Sequence, residues 1–241
     1  MTWKLTNLFF MCKFILRLLG ISKKEEEEEQ TEMIKEETMN VSSPKIILDF
    51  GHGKDTPGKK SPDCRLEEWK FNRELGMIIY EGLKKQDYNP VILVPEDIDI
   101  GLPERCARVN EMCKVESCIL ISIHGNAAGN GSSWLNASGW QCHTTIGETR
   151  ADILAKYLYE AAHEILDPLK IGVREYNGSN EPDWENDFYI LKHTICPSVL
   201  IENLFYDNKK DIEIMLSDEG KQILANVTIE GIKRYVNSET K

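Results

Sequence analysis

The sequence predicts an α/β fold: a single three-layer domain in which a mostly parallel sheet of roughly six strands lies between helices. Three observations carry this. Short apolar runs rich in β-branched residues recur at Ile46-Ile47-Leu48, Ile119-Leu120-Ile121 and Val199-Leu200-Ile201, and continuous rather than alternating apolarity marks strands buried on both faces. Stretches of helical period separate them, as crossovers between parallel strands require. The 197 residues from Lys45 onward suffice for one sizeable core.

The first strand follows Pro44 and runs into Lys45-Ile-Ile-Leu-Asp-Phe-Gly-His-Gly53, where two glycines permit a sharp turn around His52. Residues 68–86 read as a helix with Phe71, Leu75, Ile78, Ile79 and Leu83 on one side. A strand at 89–94 is stopped by Pro95, and a helix at 102–114 carries Ala107, Val109 and Met112. Residues 118–124 repeat the first strand's pattern and end at His124. A loop of small and polar residues covers 125–138, a strand 139–145 and a helix 151–166. Residues 170–173 and 188–191 read as short strands around the acidic loop 175–187. The strand 198–202 ends in Glu202, and helices at 209–216 and 219–236 complete the domain.

Ahead of the domain (45–241) stand two segments of different character. Residues 1–22 are apolar with three basic side chains, and Leu5, Leu8, Phe9, Cys12, Ile15, Leu16 and Leu19 share one helical face. The segment is marginal for a membrane span and lacks a small-residue cleavage site, so the expectation is a membrane-surface helix or an uncleaved signal anchor. Residues 23–44 form an acidic linker. Its part 23–38 holds eight acids against three lysines and repels itself too strongly to form a core. The chain carries a formal charge of −11, which argues against a nucleic-acid partner. Its seven cysteines are odd in number and scattered, unlike a disulfide framework.

Three apolar strands thus end in groups able to bind metal or move protons: His52, His124 and Glu202. If the strands are parallel, the three gather at one sheet edge, where ligands of open α/β sheets bind. Glu68, at the start of the following helix, is a fourth. Two imidazoles and a carboxylate make a common catalytic zinc set with one position left for water, and a second, unbound carboxylate serves as general base. A mixed nitrogen–oxygen set suits zinc better than magnesium or calcium. Gly53-Lys-Asp-Thr-Pro-Gly58-Lys59-Lys60 has the glycine and lysine spacing of a phosphate-binding loop. Lys60 stands where that motif needs Ser or Thr, and Ser61-Pro62 follows instead of a helix, so a nucleotide site is not expected.

Ile47-Leu-Asp-Phe-Gly-His-Gly53, Glu68-Trp-Lys-Phe-Asn72, Ser122-Ile-His-Gly-Asn126 and Val199-Leu-Ile-Glu-Asn-Leu-Phe205 resemble, in order and spacing, the four motifs of zinc-dependent N-acetylmuramoyl-L-alanine amidases. These are the bacterial autolysins and phage endolysins. Pro103-Glu-Arg105, with Asn110 beyond it, is similar to the family's helix before the second histidine. The resemblance implies one zinc ion bound by His52, Glu68 and His124, with Glu202 as catalytic acid/base. Asn72, four residues on, selects Glu68 over Glu67. Phe50 stands where the family often has Pro, Gly125 where Ala is usual, and Asn203-Leu204 where Thr-Gly is common.

The implied activity is hydrolysis of peptidoglycan at the amide between N-acetylmuramic acid and L-alanine. A zinc peptidase cutting within the stem peptide and a non-catalytic wall-binding protein are the rivals. The expected setting is the cell envelope, or a host cytoplasm before lysis if the chain is phage-encoded, and the expected state is a monomer. In the 77 residues between His124 and Glu202, taken up by a loop, a strand, one long helix and short strands, no additional amphipathic helix is apparent that would cover the metal. Asp49 is a candidate acceptor for a ligand histidine or a buried structural carboxylate. Asn126 either orients substrate or shapes its turn. Trp134 is a candidate groove residue and Trp140 a core residue, whereas His143, His163 and His193 read as surface or packing residues. Arg174 and the acidic loop are candidates for peptide contact.

Overall fold

The computed structural model describes residues 43–176 and 182–239. The expected N-terminal helix and most of the acidic linker lie outside these residues. Ser43–Lys241 form one compact unit, whose elements are β1 Lys45–Phe50, α1 Glu68–Lys84, β2 Pro90–Ile92, α2 Leu102–Cys113, β3 Cys118–Asn126, β4 Gln141–Thr144, α3 Arg150–Leu166, β5 Trp184–Glu185, α4 Tyr189–Lys192, β6 Ser198–Phe205, α5 Asp211–Leu216 and α6 Asp218–Glu239. The six strands form one sheet in the order β2-β1-β3-β6-β4-β5. β2, β1, β3 and β6 are parallel, while β4 runs antiparallel to β6 and pairs in parallel with β5.

The pleat sends alternate residues to opposite faces, and the two faces differ in cover. Ile46, Leu48, Phe50, Ile119, Ile121 and Ile123 meet residues of α1, α3 and α6 in the larger core. Those helices are 17, 17 and 22 residues long. Ile47, Leu120 and Leu200 face a smaller cluster with Cys106 and Val109 of α2 and Ile190 and Leu191 of α4. Those helices have only 12 and 4 residues. The sparsely covered face is the one that carries Asp49, Ser122, His124 and Glu202, and a cavity of about 520 Å³ opens there.

Local chemistry fixes the ends of the elements. α3 starts in a capping box, with Thr149 accepting from the Ala151 N–H and Asp152 reaching back to the Thr149 N–H. Pro103 lies in the first turn of α2, where no backbone donor is lost. Phe50 has a counterpart in α1: a Cβ on Gly76 would lie 2.1 Å from the Phe50 ring, so the helix glycine makes room for the aromatic.

Two short elements differ from the sequence reading. Residues 170–173 form no strand; Val173 makes an isolated bridge to Trp140. Residues 188–191 belong to a loop and the single-turn helix α4, and the short strand lies earlier, at Trp184–Glu185. Few residues and no clear period made these segments ambiguous. β3 and β6 also run past His124 and Glu202 to Asn126 and Phe205, so both side chains project from within strands.

Arg105 of α2 fastens this helix to the sheet. Its side chain is buried and bonds Asp49 Oδ1 at 2.5 Å, the Phe50 carbonyl at 2.9 Å, Asp99 Oδ1 at 2.9 Å and the Ile100 carbonyl at 2.7 Å. Ser122 donates to the other oxygen of Asp49 at 2.7 Å. Removing one partner of a buried ion pair strands the other charge, so Arg105→Met is expected to cost about 3–5 kcal/mol of folding stability. Urea unfolding of the zinc-loaded chain measures this, and a loss below about 1 kcal/mol would show that Asp49 does not depend on Arg105.

Candidate active site

The site gathers donors from three separate segments. His52 follows β1 with a left-handed backbone, φ 61, which a side chain adopts only when its surroundings enforce it. Arg73 supplies part of that constraint by donating to the His52 carbonyl at 3.0 Å and to the Glu96 carbonyl at 2.7 Å. Gly51 is required for a different reason: a Cβ there would lie 2.2 Å from the His124 ring, so only glycine lets this imidazole rest against the turn. Asn72 Nδ2 holds the Gly51 carbonyl at 3.0 Å, and Asn203 Nδ2 holds the His124 carbonyl at 3.1 Å. Glu68 is the first residue of α1, and its N–H donates to the Lys59 carbonyl at 2.8 Å.

Glu68 Oε1 lies 3.0 Å from His124 Nδ1 and 3.2 Å from His52 Nε2. Donors around a tetrahedral ion with bonds near 2.0–2.1 Å stand about 3.3 Å apart, so this spacing is compatible with one cation shared by the three residues. One donor atom from each of the three residues lies within 4.8 Å of the others. The two rings meet edge to face at 5.0 Å. Glu68 Oε2 is buried and without a hydrogen-bond partner. The donor set and this spare oxygen fit a divalent cation, which would satisfy what the protein leaves open.

The charges respond as such a cluster should. Burial alone would push Glu68 up, but hydrogen bonds to His124 and His52 prevail and hold it at about 2. Burial works against protonation of His124, and the Glu68 carboxylate outweighs it and raises the imidazole. Glu202 pairs with His124 in the β3–β6 register, so both face the cavity. Burial pushes Glu202 up to about 7, with His124 opposing and Glu68 adding. Its Oε2 also has no partner.

All four sequence-predicted groups therefore come together, whereas the secondary candidates separate. Asp49 touches no ligand histidine; it serves Arg105 and Ser122. Asn126 lines the cavity and accepts from the Ala127 N–H at 2.8 Å, shaping its own turn. Trp140 is fully buried, and Trp134 packs against the larger core. His143 is buried between Gln141 and Asn186, at 2.7 Å from each, and burial keeps it neutral with a pKa near 4. His163 lies between Asp167 and Glu175, and His193 stacks on Tyr189 at 3.8 Å. Arg174 braces Gln141 at 2.8 Å and lies over the Trp184 and Phe205 rings, away from the cavity. Residues 177–181 of the acidic loop lie outside the described residues. Arg73 and Lys59 belong to the site and were not singled out for it in the sequence. Arg73 acts through backbone carbonyls, which no motif records, and Lys59 sat in the discarded phosphate-loop pattern.

Leu204 stands at φ 68, within a register shift that pairs Phe205 with Asn126. Glycine is the natural occupant of such a position. Here a fully buried leucine takes it, and its packing offsets the backbone cost.

A family model described as N-acetylmuramoyl-L-alanine amidase matches residues 46–234. The protein YqiI of Bacillus subtilis (strain 168) is 25% identical over 195 residues, covering 81% of this chain and 86% of YqiI. The N-acetylmuramoyl-L-alanine amidase LytC of the same strain is 26% identical over 190 residues, 79% of this chain but 35% of LytC. The crystal structure of an N-acetylmuramoyl-L-alanine amidase from Clostridium difficile 630 superposes with a TM-score of 0.71 at 24% identity, over 82% of this chain and 99% of that one.

A carboxyl whose pKa rises from 4.5 to about 7 on folding contributes stability fully below pH 4.5 and loses it as pH rises through 7. In chelated, metal-free protein, Glu202→Gln removes that loss. The variant should gain on the wild type between pH 4.5 and 8, by at most about 3 kcal/mol. Thermal unfolding across this range checks it, and a difference that does not vary with pH would contradict the assignment.

Proposed function

This chain belongs to the N-acetylmuramoyl-L-alanine amidase family, and on that premise we propose that it hydrolyses the amide between N-acetylmuramic acid and the first L-alanine of peptidoglycan stems, using one zinc ion held by His52, Glu68 and His124. The observation that carries this reading is the buried Glu68 carboxylate between two imidazoles, with the second carboxylate, Glu202, unpartnered beside them. Zinc in this set would polarise the scissile carbonyl and lower the pKa of the attacking water to roughly 7.

The chain's own residues do the rest. Arg73, Asn72 and Asn203 fix the backbones that present the two histidines, and such support holds ligand geometry. Glu202 takes the proton of the attacking water on its free Oε2 and passes it to the departing amine nitrogen. Burial raises this carboxyl in the metal-free protein, and a carboxylate at this place is able both to accept and to return a proton. Among the described residues the cavity is open: His52 keeps 19% of its side chain exposed, and Tyr189 and Ile190 of the single-turn α4 line it. The site is therefore proposed to work without an activator that moves a covering segment.

The substrate places the protein's work in the cell envelope. Among the described residues no helix is long and apolar enough to cross a membrane, so membrane association rests on the basic, apolar residues 1–22. Liposome flotation of the full chain against one starting at Pro44 tests that role; both should digest walls, only the full chain should float, and equal behaviour would remove the proposal.

Purified zinc-loaded chain should digest peptidoglycan unaided and release stems with a free L-alanine amino terminus, identified by mass. Glu202→Gln should keep about one zinc per chain and lose at least about 10²-fold in rate. Stems cut internally would favour the peptidase reading. Loss of zinc with activity would make Glu202 a ligand, and release of nothing would leave a wall-binding protein.

A further inference from the structure

The walls of the cavity differ in chemistry. Leu102, Phe188 and Tyr189, all exposed, line part of it. Their rings are held in place: Phe188 meets the buried His143 edge to face at 5.2 Å, and Tyr189 stacks on His193. Lys59 lines the same cavity. The cavity's one arginine, Arg105, is buried and engaged with Asp49 and Asp99, which leaves the Lys59 ammonium as the accessible lysine or arginine charge among the described lining residues.

Lys59 is not a drifting surface lysine. Its backbone is left-handed, φ 51, and its carbonyl accepts the Glu68 N–H. The next residue, Lys60, bridges to Glu67, and a Cβ on Gly131 would lie 2.2 Å from the Lys60 carbonyl oxygen. The chain is therefore clamped from both sides with the Lys59 stem beside the metal set. Its Nζ is 3.9 Å from Glu68 Oε2, too far for a hydrogen bond, and it is nearly half exposed. Among the described residues its ammonium has only this long ion pair with Glu68, so an anionic group entering the cavity would find donors there.

The two halves of the substrate differ in the same way. One side of the scissile amide is an uncharged sugar and its lactyl arm. The other is a peptide whose second residue carries a free carboxylate or, in amidated walls, a carboxamide. That group lies about two residues from the scissile nitrogen, roughly 7 Å in an extended peptide. Building on the amidase reading, we infer that Lys59 is a specificity residue that binds the carboxylate of the second stem residue, so that the peptide runs over the Lys59 loop and the sugar lies on the Leu102–Phe188–Tyr189 ledge. Aromatic and apolar faces suit the sugar.

The test pairs two substrates, N-acetylmuramoyl-L-alanyl-D-glutamate and its D-isoglutamine analogue, each with the γ-carboxyl capped as a methylamide so that only the α group differs, with zinc-loaded full chain, Lys59→Met and Lys59→Arg. Wild type should favour the acid by about 10-fold or more in kcat/KM, mainly through KM, the usual worth of a charge-assisted hydrogen bond. Lys59→Met should bring the ratio to about one, and Lys59→Arg should restore it. Calorimetry with the released dipeptides should show the same pattern in Kd, and zinc content should not change among the three proteins. A preference that survives Lys59→Met, or equal losses on both substrates, overturns the inference while leaving the amidase reading intact. If wild type cuts neither substrate, the amidase reading falls and this inference with it.

Discussion

A carboxylate that is 2% exposed between two imidazoles governs the rest of this structure. Glu68 is costly to bury unless cationic partners compensate, and here the hydrogen bonds to His52 and His124 hold it ionised. Each partner comes from a different segment: a turn after β1, the start of α1 and the interior of β3. They meet only if β1 and β3 are parallel neighbours in this register and α1 returns across the larger core. The left-handed turn at His52, the bare backbone at Gly51 and the Arg73 bond to the His52 carbonyl all serve that meeting. Glu202 joins it because β6 pairs with β3 and sets its carboxylate opposite His124.

The uneven cover of the sheet turns this cluster into an accessible site. Three long helices bury one face, so the cavity forms on the other, where α2 and the single turn of α4 leave the upper strands open. Arg105 sits at the boundary. It neutralises Asp49 below the cavity and ties down the chain at Asp99 and Ile100 above it. Asp49 of β1 and Ser122 of β3, which face this side, are thereby satisfied apart from the His52–Glu68–His124 cluster.

Much of this was legible in the sequence because it rests on signals that tertiary structure rarely overrides. Unbroken runs such as Ile119-Leu120-Ile121 report strands buried on both faces, and helices with a long apolar stripe, such as Phe71 to Leu83, report their own packing. His52, His124 and Glu202, at or near the carboxyl ends of three parallel strands, then had to converge, and Glu68 opens the helix that follows the first of them. The rest depended on contacts between distant residues. The short segments at 170–173 and 188–191 are too brief for a period to distinguish strand from loop or single-turn helix. Departures from the family pattern acquire meaning only in space: Phe50 is matched by Gly76, and Leu204 occupies a glycine-like backbone because its side chain is buried. Asp49 reads equally as a ligand's acceptor or a buried structural carboxylate, and only the fold decides for the second, through an arginine 56 residues away.

The central claim is that three residues, and not Glu202, form the metal set. Anomalous diffraction at the zinc edge from crystals of the zinc-loaded chain addresses it directly. The account predicts one peak within about 2.0–2.2 Å of a His52 nitrogen, a His124 nitrogen and a Glu68 oxygen, with Glu202 beyond bonding distance and facing the remaining position. A peak bonded to Glu202, or one that leaves out Glu68, would contradict it.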